Sequence, residues 1–130
     1  MLASESVLIV CPEVFKRGQV AESIRYCGLN SLSCSNSGEA RTLLERQRFE
    51  VVVCSENLAE RDLQDVIKIA KPAPVIIVSD HAKWSRYLAA LRAGAFDCIA
   101  FTPDDPQIKR TLWSALIEHA TVKRIVMSTL

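Results

Sequence analysis

Five short apolar runs punctuate the chain: Val7–Cys11, Ser31–Cys34, Glu50–Cys54, Val75–Ser79 and Cys98–Phe101. Segments of helical period separate them. Val7-Leu8-Ile9-Val10-Cys11, Val51-Val52-Val53-Cys54 and Val75-Ile76-Ile77-Val78-Ser79 are continuous and β-branched, which predicts central strands buried on both faces. Ser31–Cys34 is polar for a buried strand and belongs at an edge.

The intervening segments read as helices. The first places Val20, Ile24 and Cys27 on one face and closes at Gly28. Ser37 is placed to cap the second, with Ala40, Leu43 and Leu44 inward. Asp62 is placed to cap the third, with Asp65 following and Leu63, Val66, Ile67 and Ala70 inward. Lys71-Pro72-Ala73-Pro74 ends that helix, because proline cannot continue it. The fourth carries Trp84, Leu88 and Leu91 with Tyr87 beside them, and stops at Gly94. The last opens on Asp105-Pro106 and carries Ile108, Leu112, Ala115, Leu116 and His119. His119 is expected near its C-terminus, where the dipole favours a cation.

Strand–helix alternation of this kind predicts an α/β fold with a parallel sheet and helices on both faces, joined by right-handed crossovers. The 130 residues read as one domain over 1–120, with 121–130 as an extension of the last helix or a tail.

Composition narrows the function. A net charge of +1 gives no broad pull toward nucleic acid or an anionic membrane. Arg41, Arg46 and Arg48 are interleaved with Glu39, Glu45 and Glu50, as on a solvated helix face. No apolar stretch approaches the ~20 residues of a membrane span. Met1–Glu5 lacks the regions of a signal peptide, so a cytoplasmic location is expected. The five cysteines form no C-x-x-C pair and no Cys/His cluster, so reduced, buried thiols are expected and a metal site is not.

In parallel α/β folds ligands bind beyond the carboxyl ends of the strands. Those ends carry Cys11-Pro12-Glu13, Ser55, Ser79 and Phe101-Thr102. A phosphate or metal site would want acids and a lysine there. Cys11 and Cys54 end neighbouring runs and invite a redox reading, but alternation of side chains between faces sets them apart. His81, near Asp80 and Lys83, is expected on a loop at the same edge.

The order of elements, the runs Phe49–Cys54 and Val75–Ser79, and above all Ala90-Leu91-Arg92-Ala93-Gly94-Ala95-Phe96-Asp97 resemble bacterial response-regulator receiver domains. The resemblance spans about Val7 to Ala120. It implies a flavodoxin-like three-layer sandwich with strand order 2-1-3-4-5. It also implies a phosphoacceptor pocket, which here has lost its chemistry. The acidic pair that holds Mg²⁺ falls on Cys11 and Pro12, with Glu13 the one acid nearby. The phosphoacceptor aspartate falls on Ser55, and the lysine that pairs with the phosphoryl group falls on Phe101. The switch hydroxyl is kept as Ser79, and the aromatic switch position falls on Cys98. Asn57 lies where the family offers a carbonyl to the metal.

The expected function is therefore a non-catalytic signalling module of the two-component type, a pseudo-receiver without cofactor that works by protein binding. A protein partner or a second copy is expected on the fourth helix, fifth strand and fifth helix, the family's output face. Trp84, Tyr87, Cys98, Trp113 and Ile117 are its candidate anchors. Two other readings stay open: phosphotransfer through Ser55, and a small redox- or ligand-sensing domain.

Overall fold

The structure, a computed structural model, describes residues 6–79, 84–102 and 106–129, and the side chains of 7–79, 88–102 and 106–119 within them. The elements alternate as β1 (Ser6–Val10), α1 (Val14–Tyr26), β2 (Asn30–Cys34), α2 (Ser37–Arg46), β3 (Val51–Ser55) and α3 (Glu60–Ala70). They continue as β4 (Val75–Ser79), α4 (Trp84–Arg92), β5 (Asp97–Ala100) and α5 (Gln107–Thr129). The five strands form one parallel sheet of order β2-β1-β3-β4-β5. This is the flavodoxin-like order. The polar strand β2 takes an edge, as its composition requires.

Alternation along each strand divides the core into two layers. Val7, Ile9, Val51, Val53, Ile76, Val78 and Ile99 pack with Val20 and Ile24 of α1 and with Ile108, Leu112 and Leu116 of α5. Leu8, Val10, Val52, Cys54, Val75 and Ile77 pack on the opposite side with Ala40 of α2, Val66 and Ile67 of α3 and Ala90 of α4. β3 and β4 are buried at every position, which is why their runs show no polar alternation.

Two glycines hold their turns by backbone conformation. Gly28, at φ +84°, ends α1, and its amide hydrogen-bonds the Arg25 carbonyl at 2.9 Å. Gly94, at φ +105°, turns α4 into β5, and a Cβ there would stand 3.3 Å from Cγ2 of Ile67. Both the angle and the space oppose a side chain at Gly94.

Three expectations from the sequence are corrected. The cap of α2 is Asn36, one residue earlier than Ser37: its side chain accepts from the Glu39 amide at 2.9 Å. Glu39 reaches back to the Ser35 amide at 2.8 Å and hydroxyl at 2.7 Å, and these bonds hold its carboxyl below the usual range. α3 begins after Ala59, so Asp62 lies inside its first turn and caps nothing. It accepts instead from the Ser37 hydroxyl at 2.9 Å, tying α3 to α2. His119 is not at a helix end, since α5 runs on to Thr129. It is buried, with Nδ1 3.2 Å from both the Glu50 carbonyl and Glu50 Oε2, so it clamps α5 to the entry of β3.

Candidate functional site

The carboxyl ends of β1 and β3 bring Cys11, Glu13, Ser55 and Asn57 together. Cys11 continues β1 by one residue, its amide donating to the Cys34 carbonyl at 3.0 Å. Pro12 then ends the ladder, having no N–H to give. Glu13 is the residue before α1, in extended conformation, and its side chain does not cap that helix. It turns toward the sheet edge instead. There its Oε1 accepts from the Ser55 hydroxyl at 3.2 Å, and its Oε2 accepts from the Asn57 side-chain amide. The Cys11 thiol lies 3.6 Å from both Oε1 and the carbonyl of Glu13. The Asn57 backbone amide donates to Ser55 Oγ at 3.1 Å, which fixes the start of the loop after β3. One turn into α1, Arg17 donates to the Cys11 carbonyl at 3.4 Å.

One carboxylate therefore ties the loop after β1 to the loop after β3. Ser55 is fully buried and Cys11 is 1% exposed, while Glu13 is half-buried and Asn57 exposed, so the network runs from the sheet end out to solvent. Burial pushes the Cys11 thiol above its ordinary pKa, and the charge of Glu13 adds to the rise. The thiol is thus a protonated donor at neutral pH, not a nucleophile.

These residues do not fit Mg²⁺. That cation dehydrates reluctantly and takes hard oxygen donors, usually carboxylates with phosphate and water. Glu13 is the one carboxylate in this network, and its oxygens already face a hydroxyl, an amide and a thiol. Among the described residues no group of three or more His, Cys, Asp and Glu is placed to hold a metal ion. Glu56, an acid of the loop after β3, lines a groove between α3 and α4.

On the other side of the pocket, Phe101 follows β5 and its amide donates to the Ser79 carbonyl at 2.8 Å. Its ring is 7% exposed and belongs to the core layer that holds Cys11, Val78, Ile108 and Leu112. Where a cation was expected to be missing, an apolar ring is packed. Ser79 is buried at the end of β4.

None of the five cysteines forms a disulfide. Cys11 and Cys54 lie in opposite core layers, so the face alternation that set them apart in the sequence holds in the fold. Burial raises the pKa of both.

Of the expected output residues, three have described side chains, and they divide between two sides of the sheet. Trp113 is 38% and Ile117 64% exposed, one turn apart on the outer side of α5. Cys98 is half-buried and lines the groove between α3 and α4, across the sheet from α5. The side chains of Trp84, Tyr87, Val122, Ile125 and Val126 lie outside those described, as do residues His81 and Asp105. Sequence reasoning placed Glu13 near the pocket without its role. The signal was there: it is the one acid between the first run and the first helix.

No protein-family model matches the chain, and no curated protein matches its sequence. Solved structures match its fold. The receiver domain of the sensor histidine kinase PA1611 from Pseudomonas aeruginosa PAO1, a structure with a magnesium ion coordinated in the active site cleft, is 19% identical with a TM-score of 0.73, over 88% of this chain and 98% of that one. A putative response regulator from Chloroflexus aurantiacus J-10-fl is 20% identical with a TM-score of 0.77, over 88% of this chain and 99% of that one. A CheY-like receiver domain protein from Methanospirillum hungatei JF-1 is 18% identical with a TM-score of 0.76, over 92% and 98%. Among the described residues no helix is long and apolar enough to cross a membrane. The chain has the fold of a response-regulator receiver domain, with the Glu13 network at the edge where such folds bind ligands.

Proposed function

We infer that the chain is a non-catalytic signalling module of the two-component type, a pseudo-receiver that binds a protein and accepts no phosphoryl group. The observation that carries this reading is the engagement of Glu13 by Ser55 and Asn57. In the Pseudomonas receiver the active site cleft coordinates magnesium. Here the corresponding chemistry would need Glu13 to abandon its partners, with Cys11 and Pro12 supplying no carboxylate. Phosphoryl transfer depends on positioning and charge stabilisation, and Phe101 supplies a buried ring in place of a cation.

Partner binding is assigned to the exposed side of α5, through Trp113 and Ile117. A large aromatic beside a branched aliphatic side chain is the composition of an interface anchor. The reading is tested by titrating beryllofluoride and Mg²⁺ into labelled protein while following amide resonances. No shift is expected at Cys11, Glu13, Ser55 or Asn57. Saturable shifts at those residues would return the chain to the phosphorylatable class.

The Ser55 reading has one observation in its favour, since a carboxylate stands 3.2 Å from the hydroxyl as a base would. Ser55 is fully buried, however, and a phosphodonor has no approach to it. The redox pair that the sequence offered, Cys11 and Cys54, is divided between the two core layers, and burial raises the pKa of both.

A further inference from the structure

The two edges of the sheet differ. β5 is short and opens on a charge, Asp97. β2, Asn30-Ser31-Leu32-Ser33-Cys34, is as long as β1, β3 and β4 and carries neither charge nor proline. Its register with β1 runs unbroken from Asn30 to Cys34, so no bulge interrupts it. Proteins blunt an exposed edge by charge, proline, a bulge, shortening or a cover, because unpaired backbone groups there recruit another strand. β2 has none of the first four.

The ladder shows which groups point outward. The Cys11 amide donates to the Cys34 carbonyl at 3.0 Å. Each strand residue turns its N–H and C=O to one side, and the side alternates along the strand. Asn30, Leu32 and Cys34 therefore face β1 with both groups, and Ser31 and Ser33 face the open edge with both. Among the described residues none bonds to those outward groups. α1 packs on one face of β2, while α2 leans on α3 and β1. Leu32 lies on that second face with its neighbour Leu8 and stays 43% exposed.

We propose that β2 is the edge on which a second copy of this chain docks, antiparallel, joining the two sheets into one. The outward residues dictate the register. Ser31 pairs with Ser33 of the second copy and Ser33 with its Ser31, each pair exchanging both N–H···O bonds. The two-fold axis then passes between Leu32 and Leu32 of the second copy. That is a non-hydrogen-bonded pair, with Cα atoms about 4.5 Å apart and side chains at their closest. The exposed leucine covers its own copy. Registers that set Ser31 on Ser31, or Ser33 on Ser33, keep one such hydrogen-bonded pair in place of two. Glu22 and Arg25 line the hollow beside Asn30 and Ser31, so the two copies bring opposite charges to the junction in equal number. A net charge of +1 leaves little repulsion between copies. A foreign strand would satisfy the same backbone groups; the two-fold placing of Leu32 on itself singles out the chain's own copy. Phe15 and Tyr26 of α1, 79% and 77% exposed, offer apolar area but no register that selects an occupant. The edge is independent of the Glu13 network and of the Trp113 face.

Sedimentation velocity on the whole chain, over concentrations up to about 1 mM to catch a weak pair, tests it together with amide hydrogen exchange at both ends of that range. Concentration-dependent dimer is expected. In dilute protein the Leu32 and Cys34 amides, held by β1, should exchange slowly and those of Ser31 and Ser33 fast. At high concentration Ser31 and Ser33 should slow tenfold or more. Leu32→Lys, at an exposed position, should preserve the melting temperature of dilute protein and weaken the dimer tenfold or more, since it sets like charges directly opposite. Ser33→Pro removes an outward donor while sparing the bonds to β1, and should weaken the dimer as much. A wild-type chain that stays monomeric, a dimer whose Ser31 and Ser33 amides stay fast, or one indifferent to Leu32→Lys would each overturn the proposal.

Discussion

Ser55 donates its hydroxyl to Oε1 of Glu13 at 3.2 Å, across a sequence separation of 42 residues. The bond joins the last residue of β3 to the residue just before α1. It matters because both ends belong to the edge at which this fold handles ligands, and because the carboxylate takes a second bond from the Asn57 side chain. Charge-assisted hydrogen bonds of this kind are stronger than neutral ones, and stranding a buried donor costs more than the bond is worth. Glu13→Ala should therefore destabilise the fold by about 1–2 kcal/mol. Urea unfolding checks this. Hydrogen exchange should quicken at Asn57 and its neighbours in the same variant. A neutral result in both would mean that the two loops are held by other contacts.

Phe101→Lys restores the charge that the family resemblance implies, and should not restore the chemistry. The ring is buried in the layer beneath α1 and α5. Replacing it with an unpaired ammonium removes packing and buries a charge, at a cost of roughly 3 kcal/mol or more. Thermal melting should show a large loss. An unchanged melting temperature would place the side chain in solvent.

Gly94→Ala tests the turn from α4 to β5. Positive φ and the approach of Ile67 Cγ2 both oppose a methyl group there. The expected loss is about 1–2 kcal/mol. Gly18→Ala, in the open middle of α1, is the internal contrast and should stabilise the monomer by about 0.5–1 kcal/mol.

The thiols give a pH signature. Burial, with the charge of Glu39 adding to it, raises the Cys34 pKa from the usual value near 9 to about 11. Below pH 9 the thiol is protonated in both folded and unfolded chains, and its contribution to stability is complete. Between about 9 and 11 the unfolded chain releases the proton while the folded one keeps it, so stability falls as pH rises. Unfolding midpoints should decline through that window in wild type and less in Cys34→Ala. Equal declines would assign the pH dependence to other groups.

Much of the sheet was legible because burial on both faces writes itself as unbroken β-branched runs. β1, β3 and β4 were found within a residue of their ends. The polar run at Ser31 announced its own edge. The helix starts were less legible because Ser35-Asn36-Ser37 offers three side chains able to cap, and only the backbone geometry selects Asn36. Asp62 reads in the sequence as a cap at the start of its helix; its true partner, Ser37, lies on another helix, and no local pattern records that pairing. His119 reads in the sequence as a helix-end residue for the same reason, since its partner Glu50 is joined to it only by the fold. At the pocket, the residue types were readable at each strand end. That Glu13 would turn from its helix and bind Ser55 was not, because side-chain direction at a strand–helix junction depends on the neighbouring loop. The exposure of Phe15 did leave a signal: it falls out of phase with Val20 and Ile24.

The central claim is that this receiver fold accepts no phosphoryl group. Incubation with acetyl phosphate and Mg²⁺, followed at once by intact mass spectrometry, tests it most directly. The account predicts a single species of unchanged mass, in wild type and in Glu13→Ala alike. A species heavier by one phosphoryl group, mapped to Ser55, would contradict it.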